Sequence, residues 1–578
     1  MFLAGGPRIG AASFFGVKLT MSTRIDRRQL ILAMAASGAL PGCMNSNALR
    51  HAGGRFRHGV ASGDPDTDSI VLWTRITGVS DPVDVTWEVS ADPSFDTVLL
   101  RGSSMASEAA DFTVKVVAGP LASGQTLYYR FAALGEVSPT GRTRLFSTKG
   151  EERVGIGLAS CSNYAFGHFN AYDAIARDPR VDIVLHTGDY IYEYGAGEWG
   201  DETGKVIGRQ HDPFHEIVTL NDYRRRHAQY KSDPGAQAMH AAHPFVACWD
   251  DHEVTNNPWT GGAQNHQSET EGDYAARRAA ALQAYFEWMP LRNPQPGQPQ
   301  EAFWRSYQLG GLATLVTLES RHTGRGRQVD YAEHSPAIRN RADRDRFMQE
   351  VIGDPARRML APEMEAFFEG AMARSVARGE PWRLVGNASP IARMLVPDLE
   401  AAGIPESLAP ASERIGAGPN LFWKGKWNLP FYTDTWDGYP AAREALYAAA
   451  DRAGARDLIF LTGDSHSFWE NSLSDELGKP IGIEIGTAGI SSPGDFVETG
   501  WLEDGPERLN KLFADALAEV NWTEDRYQGY VRIELSRTEA QVDFVAVNTC
   551  LSPEYKVRTV RKTLIRKLDS QLVLQEKM

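Results

Sequence analysis

Residues 181–195 read VDIVLHTGDYIYEYG, and this order of residue types frames the rest of the chain. Four of the five residues from 181 to 185 are apolar, three of them consecutive and without helical period, which is the pattern of a buried strand. The run breaks at Gly188, and Asp189 and Tyr192 follow where the strand ends. A carboxylate at the tip of a buried strand is costly unless positive charge sits beside it, so a cation is expected there.

The pattern recurs three times. VGIGLAS (154–160) ends at Cys161; FVACW (245–249) ends at Asp250, Asp251, His252 and Glu253; LIFLTG (458–463) ends at Asp464, Ser465 and His466. Taken singly, each residue has an ordinary reading. A Gly-Asp pair caps a helix, Tyr192 packs beside Tyr190 and Tyr194, Cys161 is a buried thiol, and His466 is a core histidine. Four such ends in one domain favour a shared site, because strands running alike gather their carboxyl ends on one rim.

The donor types divide. Cys161, Tyr192 and His466 are soft or borderline ligands suited to iron or another transition metal. Tyr192 ionises far below its free pKa of about 10 only on a strong Lewis acid, which points to a trivalent ion. Asp189, Asp251 and Asp464 are hard oxygen donors that favour calcium, magnesium or manganese over zinc. With two cations about 3.5–4 Å apart, Asp189 is the natural bridge. His252 is left free, and imidazole titrates near neutral pH.

The chain has 578 residues, too many for one core, and no apolar run near the roughly 20 residues of a membrane span. Its formal net charge of −14 argues against nucleic-acid binding, which needs a basic face. Four cysteines exclude a disulfide scaffold. Residues 1–50 read as an export-signal region with a short linker: Arg27 and Arg28 precede LILAMAASGAL, and Leu40, Pro41, Gly42 and Cys43 resemble a lipoprotein cleavage box. Twin-arginine export and a lipid anchor at Cys43 are expected, with Met21 as the start and a periplasmic or envelope-attached product. Residues 51–149 hold short, regularly spaced strands and are expected to form an all-β sandwich of the immunoglobulin or fibronectin kind. In 83–89, Val83, Val85, Trp87 and Val89 alternate with polar residues. Residues 150–556 alternate strands with helices and predict a layered α/β domain, with edge strands at 528–547. Residues 557–578 are expected to form a basic amphipathic helix.

These motifs carry a resemblance. FRHGVASGDPDTDSIVLWTRI, LHTGDYIYEYG, DYRRRHAQYKSD, WDDHEVTNN, AYFEWMPLR, DTWDGYPAARE and GDSHSFW stand in the order seen in the PhoD-type alkaline phosphatases of the metallophosphoesterase superfamily. The resemblance implies an αββα metallophosphatase sandwich behind the N-terminal β-domain. It also implies Fe3+ on Cys161, Asp189, Tyr192 and His466, Ca2+ near Asp189, Asp251 and Asp464, and catalytic roles for Asp189 and His252. Zn2+, Mn2+ or Mg2+ are the alternative metals. His252, Arg321 and Asn256 are the expected phosphate contacts. In place of the family's Asp-Thr-Arg the chain has Glu319, Ser320 and Arg321, so Arg321 is read either as a phosphate contact or as a rim salt bridge. The implied activity is hydrolysis of phosphoester small molecules by a metal-bound hydroxide or oxide. The alternatives are a phospholipase-like diesterase on phospholipid headgroups, for which the basic helix would suit a membrane surface, and a secreted metal-binding module without activity.

Overall fold

The computed structural model describes residues 54–147, 150–295, 297–569 and 571–577. The export signal and Cys43 lie outside the described residues. Among those described, no helix is long and apolar enough to cross a membrane.

Two mixed sheets lie face to face. In the first, Val154–Ala159, Ile183–His186 and Phe245–Ala247 run parallel and adjacent. In the second, Ala313–Thr317, Trp382–Asn387, Leu458–Thr462 and Pro480–Gly486 run parallel. Successive strand residues point to opposite faces, and here both faces are covered. Ile459 and Leu461 join Leu158, Leu185 and Val246 in the core between the sheets, while Leu458 and Phe460 pack outward against Phe368 and Leu446. Double coverage is why 183–185, 245–248 and 458–461 read as continuous apolar runs rather than alternating ones.

Helices close both outer faces. Asn170–Arg177, Pro234–Ala242 and Tyr274–Trp288 pack on the first sheet through Tyr172, Ile175, Met239, Ala281 and Tyr285. Pro362–Ala377 and Pro440–Arg452 pack on the second. The layering is therefore helix, sheet, sheet, helix.

The N-terminal strands divide between two sheets. Val83–Ser90, Val98–Ala106, Thr126–Ala133, Glu136–Val137 and Gly141–Arg144 form one. Val60–Gly63, Ile70–Arg75 and Thr113–Ala118 form the other, and Gly63 pairs in parallel with Phe245. Those three strands thus prolong the first of the two large sheets. Val83, Val85 and Val89 are buried as the alternation requires.

Two expectations are corrected at the C-terminus. The helix expected over 557–578 is a pair of strands, Val557–Leu568 and Gln571–Glu576. Five of the first strand's residues are β-branched (Val557, Thr559, Val560, Thr563 and Ile565), which favours extended backbone. Three of its five basic residues form ion pairs: Arg561 lies 2.8 Å from buried Glu470, Arg566 lies 2.9 Å from Glu539 at the surface, and Lys567 binds Asp457, while Arg558 and Lys562 are exposed. The amphipathic helix expected to suit a membrane surface is therefore not formed. The hairpin Gln528–Leu535 and Glu539–Val547 is interior rather than edge, because Val154–Ala159 flanks it on one side and Val557–Leu568 on the other.

Two glycines let the strand tips meet. A Cβ on Gly188 would lie 2.4 Å from the Asp250 backbone nitrogen, and one on Gly463 would lie 2.1 Å from Ser160 Oγ and 2.7 Å from Thr187 Oγ1. Gly463→Ala is therefore expected to destabilise the protein by about 1–3 kcal/mol, as overpacking does, with reduced metal retention. Urea denaturation beside elemental analysis measures both, and a variant with the parent's midpoint and metal content would refute the close approach.

Candidate metal centre

The strand ends assemble one site from both sheets. Val154–Ala159, Ile183–His186 and Phe245–Ala247 supply Cys161, Asp189, Tyr192, Asp250, Asp251 and His252 from the first sheet. Leu458–Thr462 brings Asp464 and His466 from the second. The rim expected from sequence is thus a junction between two sheets.

Cys161, Asp189, Asp464 and His466 all adopt left-handed backbone, with φ of 58°, 58°, 66° and 54°. For residues other than glycine this costs roughly 1–2 kcal/mol each. Four such residues in one cluster mark a functional constraint. These four residues follow three of the contributing strands and bring their side chains into one cluster.

Asp189 occupies that point. It belongs to each of three groups whose ligand atoms lie within 4.8 Å of one another: with Cys161 and His466, with Asp251 and His252, and with Asp250 and Asp464. Its two oxygens face different ways. Oδ2 accepts from the Tyr192 hydroxyl at 3.2 Å and the Cys161 thiol at 3.4 Å, and Oδ1 accepts from the His252 amide at 3.3 Å. Tyr192 also lies 3.5 Å from His466 Nε2. The Nδ1–H of His466 donates to the Pro493 carbonyl at 3.0 Å, leaving Nε2 toward the cluster.

The remaining expected residues fall around this centre. His252 Nδ1 is 2.6 Å from Glu193 Oε2, and its Nε2 is 3.8 Å from Asp251 Oδ1. Glu193 is fully buried and accepts from the Asn256 amide at 2.7 Å and Asn265 Nδ2 at 2.9 Å. Asn256 itself is half-buried at the rim. Arg321 is buried, not on the rim: its Nε donates to Asp250, its second nitrogen lies 3.2 Å from Asp434, and its third lies 3.6 Å from Asp464. Glu319 explains how the departure from Asp is absorbed. Its carboxylate accepts from the Arg321 and His322 amides at 2.8 and 2.7 Å and from the Trp249 indole at 3.1 Å, so the longer side chain caps its own loop.

Asp250 was not assigned from sequence. Neighbouring residues of a strand point to opposite faces, but pairing stops at Ala247, and both Asp250 and Asp251 turn into the site. Glu253, Glu193 and Asp434 were also missed as supports. Glu253 accepts from the Asp189, Tyr190 and Asp250 amides at 3.1, 2.6 and 2.9 Å, tying two strand ends together.

The electrostatics ask for added positive charge. Burial, then neighbouring Asp251 and Asp250, holds the Asp189 carboxyl well above the usual range, although His252 opposes this. Burial and Asp250 do the same for Asp464. Burial and the Asp189 carboxylate push the Cys161 thiol and the Tyr192 phenol up. Burial disfavours charge on His252, yet Asp251 and Glu193 raise its pKa well above the usual value. Arg321 and His252 do not balance the surrounding acids. Asp250 Oδ2 and Asp251 Oδ1 are buried without a hydrogen-bond partner, which is costly for an anionic oxygen. Cations fit this donor set.

The comparisons agree with this geometry. The family model described as PhoD-like phosphatase matches residues 156–544, and that of the PhoD-like phosphatase N-terminal domain matches 42–147. The chain is 32% identical over 527 residues to alkaline phosphatase D of Bacillus subtilis (strain 168), covering 87% of this chain and 79% of that protein. A solved structure of PhoD superposes with a TM-score of 0.74 at 29% identity, covering 91% of this chain and 92% of the other. Metal-ion dependence is implied by this relationship and by the three ligand groups. The chain belongs to the PhoD-like phosphatase family and is a hydrolase of phosphoric esters.

Proposed function

We propose that the protein is an exported phosphoester hydrolase with Fe3+ on Cys161, Asp189, Tyr192 and His466, and Ca2+ among Asp189, Asp250, Asp251 and Asp464. The observation that carries this reading is the division of Asp189. Oδ2 accepts from the thiol and the phenol and Oδ1 from the His252 amide, while Asp189 stands within ligand reach of Asp250, Asp251 and Asp464. Soft donors on one side and oxygen donors on the other match a transition metal beside a hard ion. When bound, such ions polarise the phosphoryl group and lower the pKa of water.

The chain's own residues supply the remainder. Glu193 holds the His252 ring by Nδ1, so Nε2 is the atom placed to give a proton to the departing oxygen. Arg321 has two of its nitrogens committed to Asp250 and Asp434, so we assign it to holding those carboxylates rather than clamping phosphate. Asn256 is the rim residue assigned to the phosphate. The buried setting strengthens each of these contacts.

Protein purified without chelators is expected to contain iron and calcium and to show a visible charge-transfer band. Tyr192→Phe or Cys161→Ser should remove the band. A colourless, active protein holding zinc or manganese would overturn the ligand chemistry while leaving the hydrolase.

His252→Ala is expected to lower kcat by about 10²–10⁴-fold, and Glu193→Gln by about 10- to 100-fold. Both deficits should be larger for alkyl than for 4-nitrophenyl esters, because poor leaving groups depend more on the proton. Equal deficits on both substrate types, measured in metal-replete protein, would remove His252 from proton transfer.

Export rests on the Arg27–Arg28 pair and the apolar run up to Cys43. Replacing both arginines by lysine is expected to retain the protein inside the cell, as read by fractionation. Unchanged export would exclude the twin-arginine route.

A further inference from the structure

Trp199 stands beside the metal centre without a part in the chemistry above. It belongs to the loop 195–200, where Gly197 and Gly200 take φ of 84° and 90°. Glu198 accepts from the Gly195 amide at 2.5 Å and Asp201 from the Gly197 amide at 2.6 Å, so the loop is closed on itself. The indole lies almost parallel to two imidazoles, 5.6 Å from His466 and 6.3 Å from His252, with interplanar angles of 16° in both cases. Phe166 meets it edge-on at 4.6 Å.

A second tie comes from a distant segment. The Trp199 Nε1–H donates to the carboxylate of Glu498, at the end of the helical turn Asp495–Glu498. This bond joins the loop after Ile183–His186 to the segment after Pro480–Gly486. Trp199 remains half-buried, and the two imidazoles beside it keep a little exposure, His252 at 7% and His466 at 9%. Tyr192 and Tyr194 add to these aromatic neighbours at 5.3 and 5.8 Å, so what the crowded indole offers an arriving ester is bulk.

We propose that Trp199, clasped by Glu498, is a wall of the substrate entrance and limits the size of the organic group that stays on phosphorus. It is then a specificity-determining residue for ester hydrolysis, and this rests on the reading of the metal centre given above. An indole held from both ends restricts shape, whereas a free one would swing aside.

The test uses two diesters with one leaving group, methyl 4-nitrophenyl phosphate and phenyl 4-nitrophenyl phosphate, so that the chemistry is common and only the retained group differs. In metal-replete protein, Trp199→Ala is expected to raise the phenyl-to-methyl ratio of kcat/KM by about tenfold, the lower end of what one apolar contact discriminates. Trp199→Phe keeps a ring but no N–H, and Glu498→Ala removes the acceptor; both should raise the ratio by less. A ratio that is unchanged or falls in Trp199→Ala, with the parent's metal content, overturns the wall. A raised ratio there with no change in the other two overturns the clasp. Should Trp199→Ala lose metal, the other two variants decide alone, a rise supporting the proposal and no change overturning it. Inactivity of the metal-replete parent on both diesters and on 4-nitrophenyl phosphate would refute the proposed function instead.

Discussion

The constraint on which this structure depends is the meeting of four strand ends from two different sheets. Each end carries a group that is expensive to bury, and together they place Asp189, Asp250, Asp251 and Asp464 beside Cys161 and Tyr192. The protein accepts left-handed backbone at Cys161, Asp189, Asp464 and His466 and tight glycine contacts at Gly188 and Gly463 to hold them. A stable core alone would require none of this. The apolar sheet interface behind the site, with Leu158, Leu185 and Leu461, supplies the burial that offsets the cost.

Around the acids, a second set of residues fixes orientation. Glu253 gathers three amides from two strand ends, Glu193 orients His252, Glu319 shapes the loop of Arg321, and Arg321 joins Asp250 to Asp434. Three of these four supports are themselves acidic, so the region is rich in carboxylates that never face substrate. Their negative charge is met by backbone amides and side-chain donors, including the His252 ring on Glu193. Acid count alone therefore says little about ligand number in this region.

Much of the fold was legible because both sheets are covered on both faces. Residues 154–159, 183–186, 313–317 and 458–462 read as strands since they are short, mostly apolar and without helical period. The C-terminal strands were misread because Val560, Leu564 and Leu568 also satisfy a helical repeat, and only pairing with Glu539–Val547 decides between the periods. Arg321 was equally ambiguous, because burial is a property of the neighbours and not of the Glu-Ser-Arg stretch.

The sequence by itself determined which residues stand at the strand ends, the soft or hard character of their side chains, and the family. These are local properties: residue chemistry and its place relative to an apolar run. Only the tertiary structure decided that Asp464 and His466 come from a second sheet, that Asp250 joins the cluster, that Arg321 is buried, and that Trp199 reaches Glu498. Each of these is a contact between segments far apart in the chain, set by how the two sheets pack and by the turns beyond their strands, which no local pattern encodes.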